Sequence, residues 1–219
     1  MNRLLFEKRG DAVYLSHLDL MRVFQRAFKR ADILIWHSQG FSPRAYVSIA
    51  LPLPVGMESR CEILDFEIED GAVELPALAG RLNAVLPAGI RVLSAYESAR
   101  KVKELTRLQA EVTLEYDGGI PEGAQQALDA FFARESIVIT KHSKKGDKEV
   151  DIKPLLHSLE MTARNQNELR LVCVLSAQNP GLNPQLLVSA IETYLPERKP
   201  DFARIKRLEI YDEQGNPFR

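Results

Sequence analysis

Strand-like alternation and helix-like periodicity succeed one another along this chain in a six-element order, β-α-β-β-α-β, which halts at a charged stretch and then begins again. In the first pass, residues 4–8 alternate as a short strand and Gly10-Asp11 marks a turn. Ser16 and Asp19 make a Ser-x-x-Asp capping signature, in which the hydroxyl accepts from an orphan amide and the carboxylate complements the helix dipole. Leu20, Val23, Phe24, Ala27, Phe28 and Ala31 then recur at helical spacing and define a core face. Residues 33–36 are expected as the next strand, residues 46–51 are β-prone until Pro52 and Pro54 stop them, and residues 63–68 alternate apolar with acidic side chains. A helix over 76–85, with proline in its first turn, and a closing strand over 90–95 complete the pass. On this reading residues 46–69 form an added β-ribbon.

Residues 98–107, with Arg100, Lys101, Lys103, Glu104 and Arg107, make a charged junction. The order then restarts: a strand over 110–116, a helix over 121–134 opened by Pro121, and a strand over 136–140. A strong strand over 169–175, a helix over 183–194 capped by Asn183 with Pro184 in its first turn, and a last strand over 204–211 follow. A duplicated split βαβ unit predicts an α+β fold: tandem ferredoxin-like (βαββαβ) halves with antiparallel sheets, at residues 1–100 and 108–219. Helices in such halves cover one sheet face and leave the other open to a ligand.

The 219 residues are 45% hydrophobic and 27% charged, which fits a globular chain and excludes wholesale disorder. Lysine and arginine number 29 against 30 acids, so any nucleic-acid binding must come from local patches. Such patches exist, because residues 1–60 carry 9 basic and 5 acidic side chains, whereas residues 61–70 carry 5 acids and no base. Cys61 and Cys173 lie far apart in apolar, strand-like settings, which argues for core thiols in a reducing compartment rather than a disulfide framework or a zinc finger. No run approaches the ~18 apolar residues of a membrane span and the amino terminus has no apolar h-region, so a cytoplasmic protein without membrane contact is expected.

Chemistry-bearing residues are densest in Tyr14-Leu15-Ser16-His17-Leu18-Asp19 and in His37-Ser38-Gln39-Gly40-Phe41-Ser42-Pro43-Arg44. The stretch "YLSHLDLMRVFQRAFKRADI", with "HSQGFSP" and "SIALPLPVGMES" after it, resembles the signature of the radical SAM-linked protein family, proteins encoded beside or fused to a radical SAM protein. "EVDIKPLL" at 149–156 resembles a second motif of that family. The resemblance implies a radical SAM partner. This chain departs from the pattern after Pro43, where something nearer His-Pro-Lys is expected and Arg44-Ala45-Tyr46 stands, so a role for positive charge at 44 survives and a titrating histidine there does not. With two cysteines the chain lacks the three-cysteine cluster of a radical SAM enzyme, which assigns the iron–sulfur chemistry to the partner. A more distant likeness is to the tandem ferredoxin-like RNA-binding proteins of CRISPR systems, some of which are metal-independent ribonucleases.

Arg22, Arg26 and Lys29 lie opposite the core face of the first helix, and Trp36, Gln39, Gly40, Phe41 and Arg44 occupy the loop that follows. A solvated helix face and a tight loop are the plain structural readings. Together they suit RNA, because phosphates need cations and unstacked bases need aromatic faces. Lys144 and Lys145, in a basic run from Lys141 to Lys148 that includes His142, are read as an electrostatic arm, and Lys153 as an ion-pair partner of Asp151 or a cleft residue. The expected function is an RNA-binding or substrate-presenting accessory protein for tRNA or rRNA modification, with no cofactor or metal of its own. Two rivals stand beside it: an endoribonuclease using His17 or His37, whose ordinary pKa suits acid–base work, with Tyr14 as helper, and a protein-binding adaptor. His142 and His157 have no metal-ligand spacing to other donors.

Overall fold

The computed structural model describes residues 1–69, 74–141 and 146–219, which form two compact units: Met1–Glu104 with Phe218–Arg219, and Leu105–Pro217. The protein is mixed α+β, with mostly antiparallel strands and, among the described residues, four α-helices.

The first unit contains β1 (Asn2–Lys8), α1 (His17–Arg30), β2 (Val47–Ala50), β3 (Glu58–Phe66), α2 (Leu75–Asn83) and β4 (Ile90–Glu97). β1 pairs antiparallel with β3 and with β4. β1 and β2 both pair with Ile63 to Phe66 of β3, so they lie on its two edges and the strand order is β4-β1-β3-β2. The core forms where the periodic face of α1 (Leu20, Phe24, Ala27, Phe28) meets Leu4 and Phe6 of β1 and Leu64 and Phe66 of β3. Phe6 and Phe24 meet edge to face at 4.7 Å, and burying each such ring stabilises the fold by roughly 1.5–3 kcal/mol.

On the opposite face of this sheet Arg3 is fully buried. Its guanidinium forks onto Asp65 at 2.6 and 3.1 Å and also bonds Ser98 Oγ and the Arg100 carbonyl, each at 3.0 Å. The Phe218 ring lies between Arg3, at 5.0 Å, and Arg100, at 4.7 Å, which explains why the last two residues belong to this unit.

The second unit contains β5 (Arg107–Glu115), α3 (Ala124–Phe132), β6 (Val138–Lys141), β7 (Lys148–Asp151), β8 (Leu156–Ala163), β9 (Glu168–Ser176), α4 (Gln185–Tyr194) and β10 (Phe202–Tyr211). Its sheet runs β10-β5-β9-β8, while β6 and β7 form a separate hairpin. Leu169, Leu171, Cys173 and Leu175 alternate along β9 onto the buried face, which α3 and α4 supply with Leu128, Phe131, Phe132, Leu187 and Ile191.

Two strand expectations change. In the first unit β2 and β3 are main-sheet strands, not an added ribbon. The added ribbon is residues 33–46, where Ile35 and His37 make only isolated bridges, to Ile68 and Ala45. In the second unit residues 138–141 belong to the separate hairpin, and the strand completing the sheet is β8, which the sequence reading assigned to no element. Asp151 also differs from expectation. Instead of pairing with Lys153, its Oδ1 accepts from the Ile137 and Lys153 amides at 2.9 and 3.0 Å and clamps the base of the β6–β7 hairpin.

Candidate nucleic-acid interface

Residues 35–46 of the first unit fold back as a hairpin because Ser38 N donates to the Arg44 carbonyl and Tyr46 N to the Trp36 carbonyl, both at 2.9 Å. Arg44 N donates to Ser38 Oγ at 3.2 Å, closing the loop over residues 39–43. Gly40 takes φ +144°, a conformation L side chains rarely adopt, and so lets the chain turn at the tip. Phe41 at that tip is fully exposed. The sequence places it in the loop that suits RNA, and it is not in the core.

Pairing of 36 with 46, 37 with 45 and 38 with 44 sorts the side chains. Trp36, Tyr46, Ser38 and Arg44 share one face, and His37 and Ala45 the other. Trp36 and Tyr46 meet edge to face at 5.7 Å and both remain exposed. Burial of Ala45 against the core sets which face looks outward. One edge of the hairpin is tied to residues 67–69 through Trp36 N to the Glu67 carbonyl at 2.8 Å, which places the exposed Glu67 beside Trp36.

Gln25 fixes the other edge to α1 by donating Nε2 to the Ala45 carbonyl at 2.8 Å. Arg22 and Lys29, three residues before and four after Gln25, share that helix face and flank the hairpin. Arg22 is held by Asp19 at 2.9 Å, a solvent-exposed pair of small energetic weight. Arg26 is turned aside. With Arg30 it borders a shallow pocket lined also by Val23, Val85 and Pro87, so the expected basic stripe divides between two sides of α1.

Tyr14 is exposed at the end of the 3₁₀ turn Gly10–Tyr14, and His17 is half-buried as the first residue of α1, beside the Ser16 cap whose Oγ accepts from Asp19 N at 3.2 Å. His37 sits on the hairpin, and no hydrogen bond joins it to His17 or Tyr14 among the described residues. Lys153, in the second unit, is not free to meet a ligand, because its Nζ donates to the Phe132 carbonyl at 2.6 Å and caps the end of α3. His142, Lys144 and Lys145 lie outside the described residues. Among the described residues no group of three or more His, Cys, Asp or Glu is placed to hold a metal ion, and no helix is long and apolar enough to cross a membrane. Gln25 and Tyr46 escaped the sequence reading. Their signals were weak: a glutamine on a charged helix face and a tyrosine counted among strand residues.

The family described as "Uncharacterized protein conserved in bacteria" (DUF2344) matches residues 2–184. The chain belongs to this family. No protein with a curated description matches this DUF2344 chain. Among solved structures it is similar to a chain of a Cbf5-Nop10-Gar1 complex, with a TM-score of 0.55 and 10% identity over 97% of this chain. The match spans 50% of that other chain, and at this identity it speaks for the fold alone. An unknown protein from Galdieria sulphuraria also matches, over 94% of this chain and 97% of the other at 13% identity, but its TM-score of 0.27 carries no argument.

Proposed function

We propose that this DUF2344 protein is an RNA-binding accessory protein that takes unpaired bases on the aromatic hairpin of its first unit and the adjoining phosphates on Arg44, Arg22 and Lys29. The observation that carries the reading is Phe41, fully exposed at the tip of a hairpin whose outer face presents Trp36, Tyr46 and Arg44. A large ring held in water by a braced hairpin gains nothing for folding, whereas a base stacked on such a ring gains about 1–3 kcal/mol. Strand orders β4-β1-β3-β2 and β10-β5-β9-β8 support reading the two units as ferredoxin-like βαββαβ halves, each with a ribbon inserted after its first helix.

The sequence motifs at 14–59 and 149–156 supply the second part of the proposal, a radical SAM protein as the partner to which tRNA or rRNA is presented for modification. Both cysteines are buried in strands, which suits a division of labour with the iron–sulfur chemistry in the partner.

Fluorescence anisotropy with labelled single-stranded and hairpin RNAs at low and moderate salt tests RNA binding. Phe41→Ala is expected to weaken binding roughly 5- to 150-fold. Arg44→Ala is expected to lower the slope of affinity against salt by about one counterion. Equal affinity in wild type and both variants defeats the reading, and loss of radical SAM partner capture in Phe41→Ala without any RNA affinity favours the adaptor instead. Cleavage of RNA in EDTA that disappears in His17→Ala points to the ribonuclease.

A further inference from the structure

The face of the second unit's sheet turned away from its buried leucines is polar, and most of its arginines are committed to carboxylates. Arg204 pairs with Glu115 and with Glu168, and both Arg170 and Arg164 pair with Glu111. One end of the face is built differently. Strand register sets Tyr211 of β10 beside Arg107 of β5, and Arg107 beside Ser176 of β9. A bulge between Leu156 and Ser158 of β8 brings His157 to the same row, with Nε2 2.9 Å from Ser176 Oγ. Four strands thus place a phenol, a guanidinium, a hydroxyl and an imidazole side by side.

Arg107 is the exception among these arginines: among the described residues it has neither an ion pair nor a side-chain hydrogen bond. His157 is exposed, while Arg107, Ser176 and Tyr211 are half-buried, so the row is open to a small ligand at the β8 edge. Partial desolvation of the ring at the sheet edge first, and the nearby Arg107 charge second, lower the His157 pKa from its ordinary value of 6.5. On the side of α3, Asp129 and Lys153 line the pocket that His157 borders, with Lys153 already engaged by the Phe132 carbonyl.

A planar guanidinium without a counter-anion, next to a hydroxyl and an imidazole that can both donate, is matched by the oxygens of a phosphate. We propose that Arg107, Ser176 and His157, with Tyr211 alongside, form a binding site for a phosphate group. The ligand's phosphate belongs either to a small phosphomonoester or to a nucleic-acid chain; the recognition chemistry is common to both. This site lies in the second unit and stands independently of the hairpin reading.

The test is an NMR titration of the His157 ring signals in inorganic phosphate, against chloride at matched ionic strength. A bound anion favours the imidazolium, so phosphate is expected to raise the His157 pKa where chloride does not. Arg107→Gln is expected to weaken the phosphate response about 10- to 100-fold. Ser176→Ala is a second variant, expected to weaken it less, and circular dichroism checks the fold of both. Oligoribonucleotides with and without a 5′-phosphate separate the sources: a response to both points to the nucleic-acid chain, and one confined to the terminal phosphate points to a phosphomonoester. Phe41→Ala is expected to leave the response intact, which separates this site from the hairpin. A His157 titration identical in phosphate and chloride, or an undiminished response in a folded Arg107→Gln protein, overturns the proposal.

Discussion

Asp65 answers a fully buried charge in the first unit, since it is the only carboxylate paired with Arg3 among the described residues. Removing one partner of a buried pair strands a charge at low dielectric, so Asp65→Ala is expected to cost about 3–5 kcal/mol, read from chemical denaturation. Replacing both residues with apolar ones of similar size is expected to recover most of that loss. The cysteines make a second residue-scale case. Burial pushes the Cys173 thiol up to about 12, and Cys61 is as fully enclosed, so a thiol reagent at neutral pH is expected to label neither until denaturant is added. Labelling of the native protein at wild-type stability would contradict this. Cys173 was legible in the sequence because its neighbours are apolar throughout, and Cys61 because it falls in phase with Ile63 in a run that alternates with charge. The Arg3–Asp65 pair was not, because its members lie 62 positions apart and a charge in an alternating strand reads as its wet side.

Elements were legible where one periodicity ran unbroken. α1 announced itself through both its apolar face and its cap, and Ser16→Ala is expected to lower stability by about 1 kcal/mol, measurable as a fall in Tm, because the Asp19 amide and carboxylate both lose their hydroxyl partner. β8 shows how an element is lost from view. Leu156, Leu159 and Met161 all turn to the buried side, but the bulge at His157 inserts an extra residue, so the apolar spacing becomes three and then two. A helix-like interval opens a strand, and the period fails as a guide. Residues 33–36 mislead in the opposite direction. Ile33 and Ile35 are buried and alternate as a strand should, yet the segment finds only bridges on either side, because β2 takes the edge of β3 that it would need. The candidate site was legible only as a set of residue types. Its geometry was not, since the brace from Gln25 and the division of the basic stripe depend on which way a braced hairpin faces.

For the molecule as a whole, the shifted groups that titrate below neutrality give stability the same dependence on pH, while the raised Tyr116 and Cys173 act only in the alkaline range. Hydrogen bonds from Ser16 and then Arg22 lower the Asp19 pKa, the Lys101 amide lowers that of Glu104, and the Ile137 and Lys153 amides lower that of Asp151. A carboxylate with a depressed folded pKa adds stability that is complete above its unfolded value and lost as pH falls through the folded one. His157 is depressed too, but for a base this means that the unfolded chain takes up its proton first. Its contribution therefore begins to fade as pH drops through 6.5, while the carboxylates still hold. Stability is expected to rise from about pH 3 to about pH 7 without an intervening maximum. Because Asp19 and Glu104 belong to the first unit while His157 and Asp151 belong to the second, the loss on acidification has an address. Hydrogen exchange followed by mass spectrometry is expected to show protection weakening first in β8 and β9 as the pH drops below neutral, and around α1 only below about pH 4. His157→Asn is expected to abolish the first step and leave the second, whereas simultaneous loss of protection in both units near neutrality would show that His157 does not set the order.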